Sequence, residues 1–254
     1  MKITFLGTGT SQGIPVITCR CAVCTSSDDH DKRLRVSVLV ETADKTIVID
    51  SGPDFRYQML RAGVQDLDAI IFTHEHKDHV AGLDDIRPFN YLLKKNIDIY
   101  ATDRVQHALK REFSYIFSDV RYPGLPQIDL HTITDEPFFI GSTEIIPLNI
   151  MHYKLPILGF RIKDFTYITD AKTIEDTTLA KVKGSRVLVV NALQREEHIS
   201  HFTLDEAIAF SQKVGAETTY FTHISHNLGL HSVVEKDLPK NIKLAYDGLT
   251  ILSE

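Results

Sequence analysis

Short apolar runs alternate along the chain with segments whose apolar positions repeat at helical spacing. The runs predict strands at 2–6, 36–40, 46–49, 67–72 and 97–101, and again at 138–140, 144–150, 158–162, 165–169, 187–190, 218–221, 243–245 and 249–252. Helices are predicted at 55–62, from His79 or Gly82 onward, at 103–117, at 173–181 and at 203–214. Residues 119–137 are rich in Pro, Gly and polar side chains and predict an irregular connection.

Several of these strands end directly in a residue that could bind a metal. Asp50, His74, Asp170 and His223 each follow an apolar run, two in each half of the chain. This recurrence predicts one domain over residues 1–254, made of two similar α/β halves at about 1–125 and 138–254. The chemistry would lie at one common edge, with helices on the outer faces of the sheets.

Composition fits a globular enzyme and narrows its partners. The 254 residues are 43% apolar and 24% charged, which suits a soluble protein with a substantial core. Lys and Arg form no long basic tract and the net charge is -6, so extended nucleic-acid binding is not favoured. No run reaches the roughly 18 apolar residues of a membrane span, and the first residues are too short an apolar run for a signal peptide. We therefore expect a cytoplasmic protein without a membrane partner.

The densest chemistry lies in residues 74–79, with the sequence His-Glu-His-Lys-Asp-His. His74 and His76 alternate, so both rings face the same way in an extended segment. Asp78 and His79 follow where the chain turns into a helix and can face a second ion. A polar loop with solvated histidines is the alternative, but so many ligand-type side chains beyond a buried strand favour two metal ions.

Two neighbouring ions need about seven ligand atoms, so the remaining ligands must come from distant sequence. His152, Asp170 and His223 all lie at predicted strand ends, where loops carry function on a rigid scaffold. Taken singly, such a histidine is more often a satisfied polar residue, and such an aspartate a cap or turn residue. Glu75 and Lys77 are expected to face away. Five other histidines are interpreted as surface residues: His30, His107, His131, His198 and His231.

The His-X-His-X-Asp-His motif after a strand ending in Thr73 resembles that of the metallo-β-lactamase superfamily, and the order of the downstream residues fits it. The resemblance implies a four-layer αββα sandwich over essentially the whole chain. It implies that one metal is held by His74, His76 and His152, the second by Asp78, His79 and His223, with Asp170 bridging them. It also implies that Asp50 orients the ligand loops from outside the ligand set.

Three thiols lie within six residues, at Cys19, Cys21 and Cys24. An odd number argues against a disulfide framework, and the spacing favours a structural zinc site with one more ligand over three free thiols. This loop follows a Gly-Thr-Gly strand end, and a His-Ile-Ser-His segment lies near the C-terminus. In these features the chain is similar to PhnP-type phosphodiesterases, which act on cyclic phosphates of ribose. That similarity implies His226 as the fourth zinc ligand.

The resemblance predicts a hydrolase acting on a small, cyclic phosphodiester. A water shared by two divalent ions loses a proton near neutral pH, and the resulting hydroxide can attack phosphorus while Asp78 and Asp170 hold the ions. His201 is the candidate proton donor to the leaving group, because PhnP-like proteins carry a histidine at the matching place. The alternative is that it or Ser200 only caps the following helix. Arg87 could reach a phosphate, or form a surface ion pair.

Other hydrolases on the same scaffold remain open, among them a thiolester hydrolase, an RNA 3′-processing nuclease and a relative of the PQQ-biosynthesis type. The nuclease would carry a basic arm, which the sequence lacks, and a β-lactamase would carry a secretion signal. A metal-binding module without turnover is the alternative of a different class. Histidine and carboxylate ligands serve zinc and manganese alike, and a homodimer is the default assembly.

Overall fold

The computed structural model describes residues 1–118 and 124–253, and in these two seven-stranded sheets pack face to face. The first sheet has the order β14-β1-β2-β3-β4-β5-β6, with strands Thr250–Leu252, Lys2–Gly7, Ser37–Glu41, Thr46–Ile49, Ala69–Ile71, Ile97–Ala101 and Ile128–Thr132. The second has the order β13-β12-β11-β10-β9-β8-β7, with strands Ile242–Leu244, Thr218–Thr222, Val187–Asn191, Phe165–Tyr167, Leu155–Ile162, Thr143–His152 and Phe138–Ile140.

Helices cover the outer faces of both sheets, as the predicted sandwich requires. In chain order α1 to α7 are Phe55–Ala62, Lys77–Val80, Arg87–Leu93, Asp103–Glu112, Asp176–Val182, Leu204–Val214 and His231–Val234. Short 3-10 helices lie at Asp29–Asp31, Leu83–Ile86 and Glu235–Asp237. The predicted αββα fold class is confirmed. No helix in the described ranges is long and apolar enough to cross a membrane.

The inner strands are buried on both faces, which explains their nearly continuous apolar sequence. On β3, Ile47 and Ile49 point into the core between the sheets, whereas Val48 points into the core beneath the helices. Side chains alternate along a strand, so a strand covered on both sides must be apolar at every position. Phe160 and Tyr167 of the second sheet fill the same central core.

Parallel strands bring the ligand-bearing ends of both sheets to one edge. Strands β3 to β6 run parallel in the first sheet, and β10 to β13 run parallel in the second. Carboxyl ends of parallel strands lie at the same edge of a sheet, which is where open α/β sheets bind ligands. The residues that follow β3, β4, β10 and β12 therefore converge.

Two of the predicted elements are wrong in detail. The connection predicted at 119–137 contains the edge strand β6, whose half-exposed sequence lacks a strong apolar run; residues 119–123 lie outside the described residues. The helix predicted at 103–117 ends at Glu112. Strand β14 pairs with β1, so the last residues join the first sheet, and the division into two similar halves stays a prediction.

The helix predicted from His79 or Gly82 begins earlier, at Lys77. It is a single turn, followed by a 3-10 turn and then by α3, which carries Pro88 near its first position. Gly52 and Gly82 let these turns approach the loop after β3, because a Cβ on either glycine would collide with backbone carbonyl oxygens. The close approach positions Asp78 and His79 beside that loop.

Candidate metal centre

The histidine motif follows β4 and buries His74 and His79, while His76 is exposed. Thr73 and His74 are each 1% exposed. The Nδ1 atom of His74 lies 3.0 Å from Thr73 Oγ1, and its Nε2 atom lies 3.0 Å from His76 Nδ1. The Thr73 hydroxyl donates to Asp50, so it accepts from His74, and the Nε2 lone pair of His74 is free to face His76.

Asp50 is the organising residue of the motif, although it lies outside the cluster centre. It is fully buried; one oxygen accepts from the Thr73 backbone N–H at 2.9 Å, and the other accepts from the Thr73 hydroxyl at 2.8 Å and from His79 Nδ1 at 2.7 Å. Burial raises the pKa of the Asp50 carboxyl, against these hydrogen bonds. Asp50 therefore fixes the orientation of two imidazoles, which is the place that the resemblance implied for it.

The three distant residues reach the motif from the second sheet. His152 ends β8, and its ring centroid lies 5.2 Å from that of His76. Asp170 lies 3.4 Å from His79, between Oδ2 and Nε2, and 3.1 Å from His223, between Oδ1 and Nε2. His223 Nε2 is also 3.7 Å from Asp78 Oδ2. All seven residues expected to bind metal thus lie around one centre.

Left-handed backbone marks the strand ends that carry these groups. Asp50, Asp170 and His223 have φ values of 64°, 57° and 53°. A non-glycine residue in this region costs about 1–3 kcal/mol and persists where the surroundings impose it. The sharp turn directs each side chain back across the sheet edge instead of along the strand. Strain at three of the strand ends is therefore tied to the convergence of the cluster.

The charges of the cluster favour a positive centre. Burial opposes ionisation of Asp78 and Asp170, yet His79 and His223 hold the pKa of both carboxyls far below the usual range. Burial also acts to lower the pKa of His79, but the carboxylates of Asp78, Asp170 and Asp50 outweigh it and raise that pKa well above its usual value. Buried carboxylates that stay ionised need nearby cations.

Buried ring nitrogens without a hydrogen-bond partner show most directly whether the histidines of the cluster could bind metal ions. His79 Nε2, His223 Nδ1 and His223 Nε2 are buried and have no hydrogen-bond partner among the described residues. His79 Nδ1 already donates to Asp50, so Nε2, which points to Asp78 and Asp170, is the nitrogen that would give up its proton to bind a metal. His152 Nδ1 lies 2.9 Å from the carbonyls of Asp170 and Ser200 and must donate to them, which frees its Nε2. This donor set suits divalent ions such as zinc or manganese.

Three compact groups of ligand atoms result, each with all atoms within 4.8 Å of one another. One is Asp78, His79 and His223, the set that the resemblance implies for the second metal. The others are His74 with His79 and Asp170, and His152 with Asp170 and His201. Asp170 belongs to two groups, as expected of a bridging carboxylate, while His76 lies beside His74 without entering a group.

The three cysteines converge on His226. Its Nδ1 atom lies 3.3 Å from Cys19 Sγ, 3.4 Å from Cys21 Sγ and 3.5 Å from Cys24 Sγ. A tetrahedral zinc site with bonds near 2.3 Å to sulfur and 2.1 Å to nitrogen has sulfur–nitrogen edges of roughly 3.6 Å. The four side chains therefore fit a Cys3His zinc site without rearrangement.

The surroundings of the thiols also suit a metal. A hydrogen bond from the Cys24 backbone N–H, followed by the contact with His226, lowers the pKa of Cys21 to about 6. Burial raises the pKa of Cys24 to about 11, although the Val16 backbone N–H donates to its sulfur at 3.3 Å. The Cys21 thiol is thus ionised near neutral pH, and deprotonation of Cys24 accompanies metal binding.

Comparison with known proteins identifies the superfamily to which this fold belongs. The family model described as a beta-lactamase superfamily domain matches residues 45–224. The chain belongs to the metallo-β-lactamase superfamily. Within it the chain resembles a crystal structure of a diphosphatase from the PhnP family, with a TM-score of 0.94 and 39% identity over 100% of this chain and 98% of that one. The predicted family and its PhnP-like character are confirmed.

Two other similar proteins show which properties the comparisons support for this chain. The zinc-bound PqqB from Methylobacterium extorquens shares the fold, with a TM-score of 0.81 over all of both chains, at 17% identity. An octanoyltransferase from Porphyromonas gingivalis is 41% identical over 252 residues, which are 98% of this chain and 51% of that protein. The chain therefore spans about half the length of this curated relative.

In this metallo-β-lactamase fold, His201 differs from its neighbour His223 in one respect. Both have Nε2 about 3 Å from Asp170 Oδ1, but His201 at 3.0 Å has hydrogen-bond geometry and His223 does not. A carboxylate only accepts, so His201 Nε2 carries the hydrogen. Burial lowers the pKa of His201 to about 4, which leaves the ring neutral near pH 7. His201 thus fits a donor, whereas His223 fits a ligand.

Of the five histidines interpreted as surface residues, one is buried and three are half-buried, His131 among them, whereas His107 is exposed. His231 is buried, donates its backbone N–H to Asp31 and places Nδ1 3.1 Å from Arg33. His198 is half-buried, with Nδ1 3.1 Å from His201 Nδ1. His30 is half-buried and stacks on His231. The burial of His231 could not be predicted from the sequence, because its partner Asp31 lies 200 residues away along the chain.

The polar side chains around the cluster agree with the sequence-based expectations only in part. Arg87 is 45% exposed and pairs with Asp84, as the alternative interpretation held, and makes no contact with the cluster in the described residues. Glu75 turns away from the cluster, as expected, and accepts from Arg104 at 2.6 Å. Arg104 and Lys154 line a cavity beside His76 and His152 and were missed. Lys154, two residues after a predicted ligand, was the available signal.

Proposed function

We propose that this chain is a hydrolase with two divalent metal ions that cleaves a small, cyclic phosphodiester. One observation carries the proposal: around Asp170, His79 Nε2 and both ring nitrogens of His223 are buried without a hydrogen-bond partner among the described residues, while His201 donates to the carboxylate. That combination would supply metal ligands and a proton donor around one carboxylate. The 39% identity to a PhnP-family diphosphatase supports phosphoryl chemistry over other reactions of the fold.

The ligands for the two ions follow from the same geometry. His74, His76 and His152 would hold one ion, Asp78, His79 and His223 the other, and Asp170 both. When bound, such ions supply an activated water and neutralise charge on the phosphoryl oxygens. A separate structural zinc would be held by Cys19, Cys21, Cys24 and His226. His226 follows His223 by three residues.

The protein groups then have separate tasks. Asp50 keeps His74 and His79 in the tautomers whose Nε2 lone pairs face the centre. His201 presents its Nε2 hydrogen toward the centre, where it can be given to the oxygen that leaves phosphorus. A neutral imidazole can serve as the donor to a developing oxyanion. Ser200 Oγ, 3.0 Å from His201 Nδ1, can supply the hydrogen bond that keeps the ring in this orientation.

Replacing His201 by alanine tests the proton-donor role. His201→Ala should lower turnover of bis(p-nitrophenyl) phosphate by about 10²–10⁴-fold, the usual contribution of general acid catalysis. Metal content, measured by mass spectrometry of the purified protein, should stay at the wild-type level. His107→Ala, at an exposed histidine on α4, is the matched control. Unchanged turnover would remove His201 from the mechanism, and lost metal would make it a ligand instead.

A second candidate function comes from the octanoyltransferase relative, which is 41% identical to this chain. The match covers 51% of that protein, so its named activity can reside in the half that the match does not cover. All three cysteines of this chain face His226 in one loop, which leaves no other thiol to carry an acyl group. An octanoyl thiolester assayed beside the phosphodiester separates the two functions: transfer or hydrolysis of the thiolester alone would favour the second.

A further inference from the structure

Two neighbouring cavities open beside the candidate metal centre and share one side chain. The first, about 370 Å³, is lined by His76 and His152 of the cluster and by the hairpin turn between β8 and β9. The second, about 420 Å³, lies between the start of α4 and β9, and Thr73 of the motif also lines it. Arg104 lines both. The second cavity therefore adjoins, at Arg104, the cavity that His76 and His152 line.

The second cavity has an aliphatic part and a polar part. Val105, Ile133, Ile157 and Leu158 line the aliphatic part and are each at most 5% exposed. Threonines and other polar residues line the rest, among them the buried Thr73. None of the described residues that line the cavity is aromatic. Nucleobases are held mainly by stacking on aromatic rings, so this cavity is poorly built for a base. Its aliphatic part suits a hydrocarbon, whose transfer out of water is favourable without any polar contact.

Arg104 lies where the polar and aliphatic parts meet. Its Nε atom donates to Glu75 Oε1 at 2.6 Å, and its side chain is 56% exposed. Among the residues that the structure describes, the other guanidinium N–H groups have no acceptor. Guanidinium forks bind phosphate and ester oxygens through paired hydrogen bonds. Arg104 can therefore bind the polar link between a reacting phosphate and an apolar substituent.

We propose that the aliphatic cavity, defined by Val105, Ile133, Ile157 and Leu158, binds an unbranched alkyl or acyl chain carried by the phosphodiester substrate. This inference rests on the proposed phosphodiesterase function and names its substrate class: an amphiphilic phosphodiester. A cavity of about 150 Å³ is enough to hold a six-carbon ring, so the volume of about 420 Å³ leaves ample room for a chain of eight carbons. Arg104 then lies over the junction of chain and phosphate.

Two substrates with the same leaving group test this directly. Methyl and octyl p-nitrophenyl phosphate, both below micelle-forming concentrations, differ only in the chain. Each fully buried CH2 raises affinity about fourfold, so kcat/KM should be at least about tenfold higher for the octyl ester. Thr134→Trp, at an exposed residue on the cavity rim, should remove this preference and leave methyl ester turnover unchanged. Thr134→Ser and Thr177→Trp, the latter exposed and outside the cavity, should retain it.

The outcomes separate the inference from the function on which it rests. Equal turnover of both esters overturns the alkyl site and leaves the phosphodiesterase standing, and so does an octyl preference that persists in Thr134→Trp. A thymidine 5′-p-nitrophenyl ester preferred over the octyl ester assigns the cavity to a nucleoside and overturns it too. If neither ester is cleaved, the proposed function fails. Calorimetry of octyl and methyl phosphate on the metal-loaded protein then decides: a preference lost in Thr134→Trp supports the site, and equal binding overturns it.

Discussion

The two candidate metal sites of this protein are built in opposite ways. The cysteine site draws three side chains from residues 19–24 and one from His226, whereas the histidine cluster draws its side chains from α2, from the end of β8 and from the segments that follow β4, β10 and β12. The first is half-exposed and needs little more than a loop, while the second is mostly buried and needs both sheets. The difference shows that a metal site can depend on local spacing or on the topology of a fold.

The two sites are nevertheless joined through one short segment. His223 and His226 are three residues apart, and Ile224 between them exchanges backbone hydrogen bonds with Thr8 and Thr10. That segment ties the glycine-rich turn after β1 to the end of β12. Loss of metal from either site should therefore alter the structure of the other site. The effect on the histidine cluster should be the smaller one, because six of its seven residues lie outside the segment.

The largest effect should follow removal of the carboxylate shared by the cluster. Asp170→Ala should abolish phosphodiester turnover and empty or weaken both catalytic metal positions, because His79, His201 and His223 all lose their common partner. Metal analysis should then find zinc retained in the cysteine site alone. A fully metal-loaded Asp170→Ala protein would contradict the bridging role. Asp164→Ala, at a partly exposed aspartate outside the cluster, is the control.

A smaller but broader effect is expected from the cysteine site. Cys21→Ser should lose one metal equivalent and lower the unfolding temperature, because metal binding free energy at such a site is folding free energy. Turnover should fall less than in Asp170→Ala, since only His223 lies on the shared segment. Metal stoichiometry and thermal unfolding with and without added zinc measure both effects. Unchanged metal content would show that the thiols hold no ion.

The smallest of these effects should come from Asp50→Asn, which keeps the shape and removes the charge. Asp50 touches the cluster through Thr73 and His79 only, so the ligand atoms stay while their orientation loosens. Metal affinity should fall by about 10- to 100-fold, the usual cost of losing a hydrogen-bond partner of a metal-binding histidine. Competition with a chelator measures it, and excess metal should restore turnover. Failure of excess metal to rescue activity would mean that Asp50 acts in the reaction itself.

Much of the candidate site was readable from residue order. The density of ligands at 74–79 and their position after a buried strand predicted a metal centre without any tertiary information. The strand-end positions of His152, Asp170 and His223 made them candidates because loops at strand ends carry function on a rigid scaffold. What remained hidden was the difference between His201 and His223, since it rests on the geometry of one contact to Asp170.

The strands, too, could be predicted from the sequence only in part. Strands buried on both faces, such as β3 and β4, were evident from continuous apolar sequence. The edge strand β6 was missed because a half-exposed strand needs no such run. Strand β14 joins the first sheet through its pairing with β1, a contact between the two ends of the chain that no local pattern encodes.

The order of side chains alone determined which residues could bind metals and which segments must be buried, because burial and coordination chemistry are properties of residue types. The tertiary structure alone decided which of those residues meet and what each nitrogen faces. The left-handed turns at Asp50, Asp170 and His223, the pairing of Arg87 with Asp84, and the cavity beside Arg104 all depend on contacts between distant segments. Such contacts exist only when both sheets have packed.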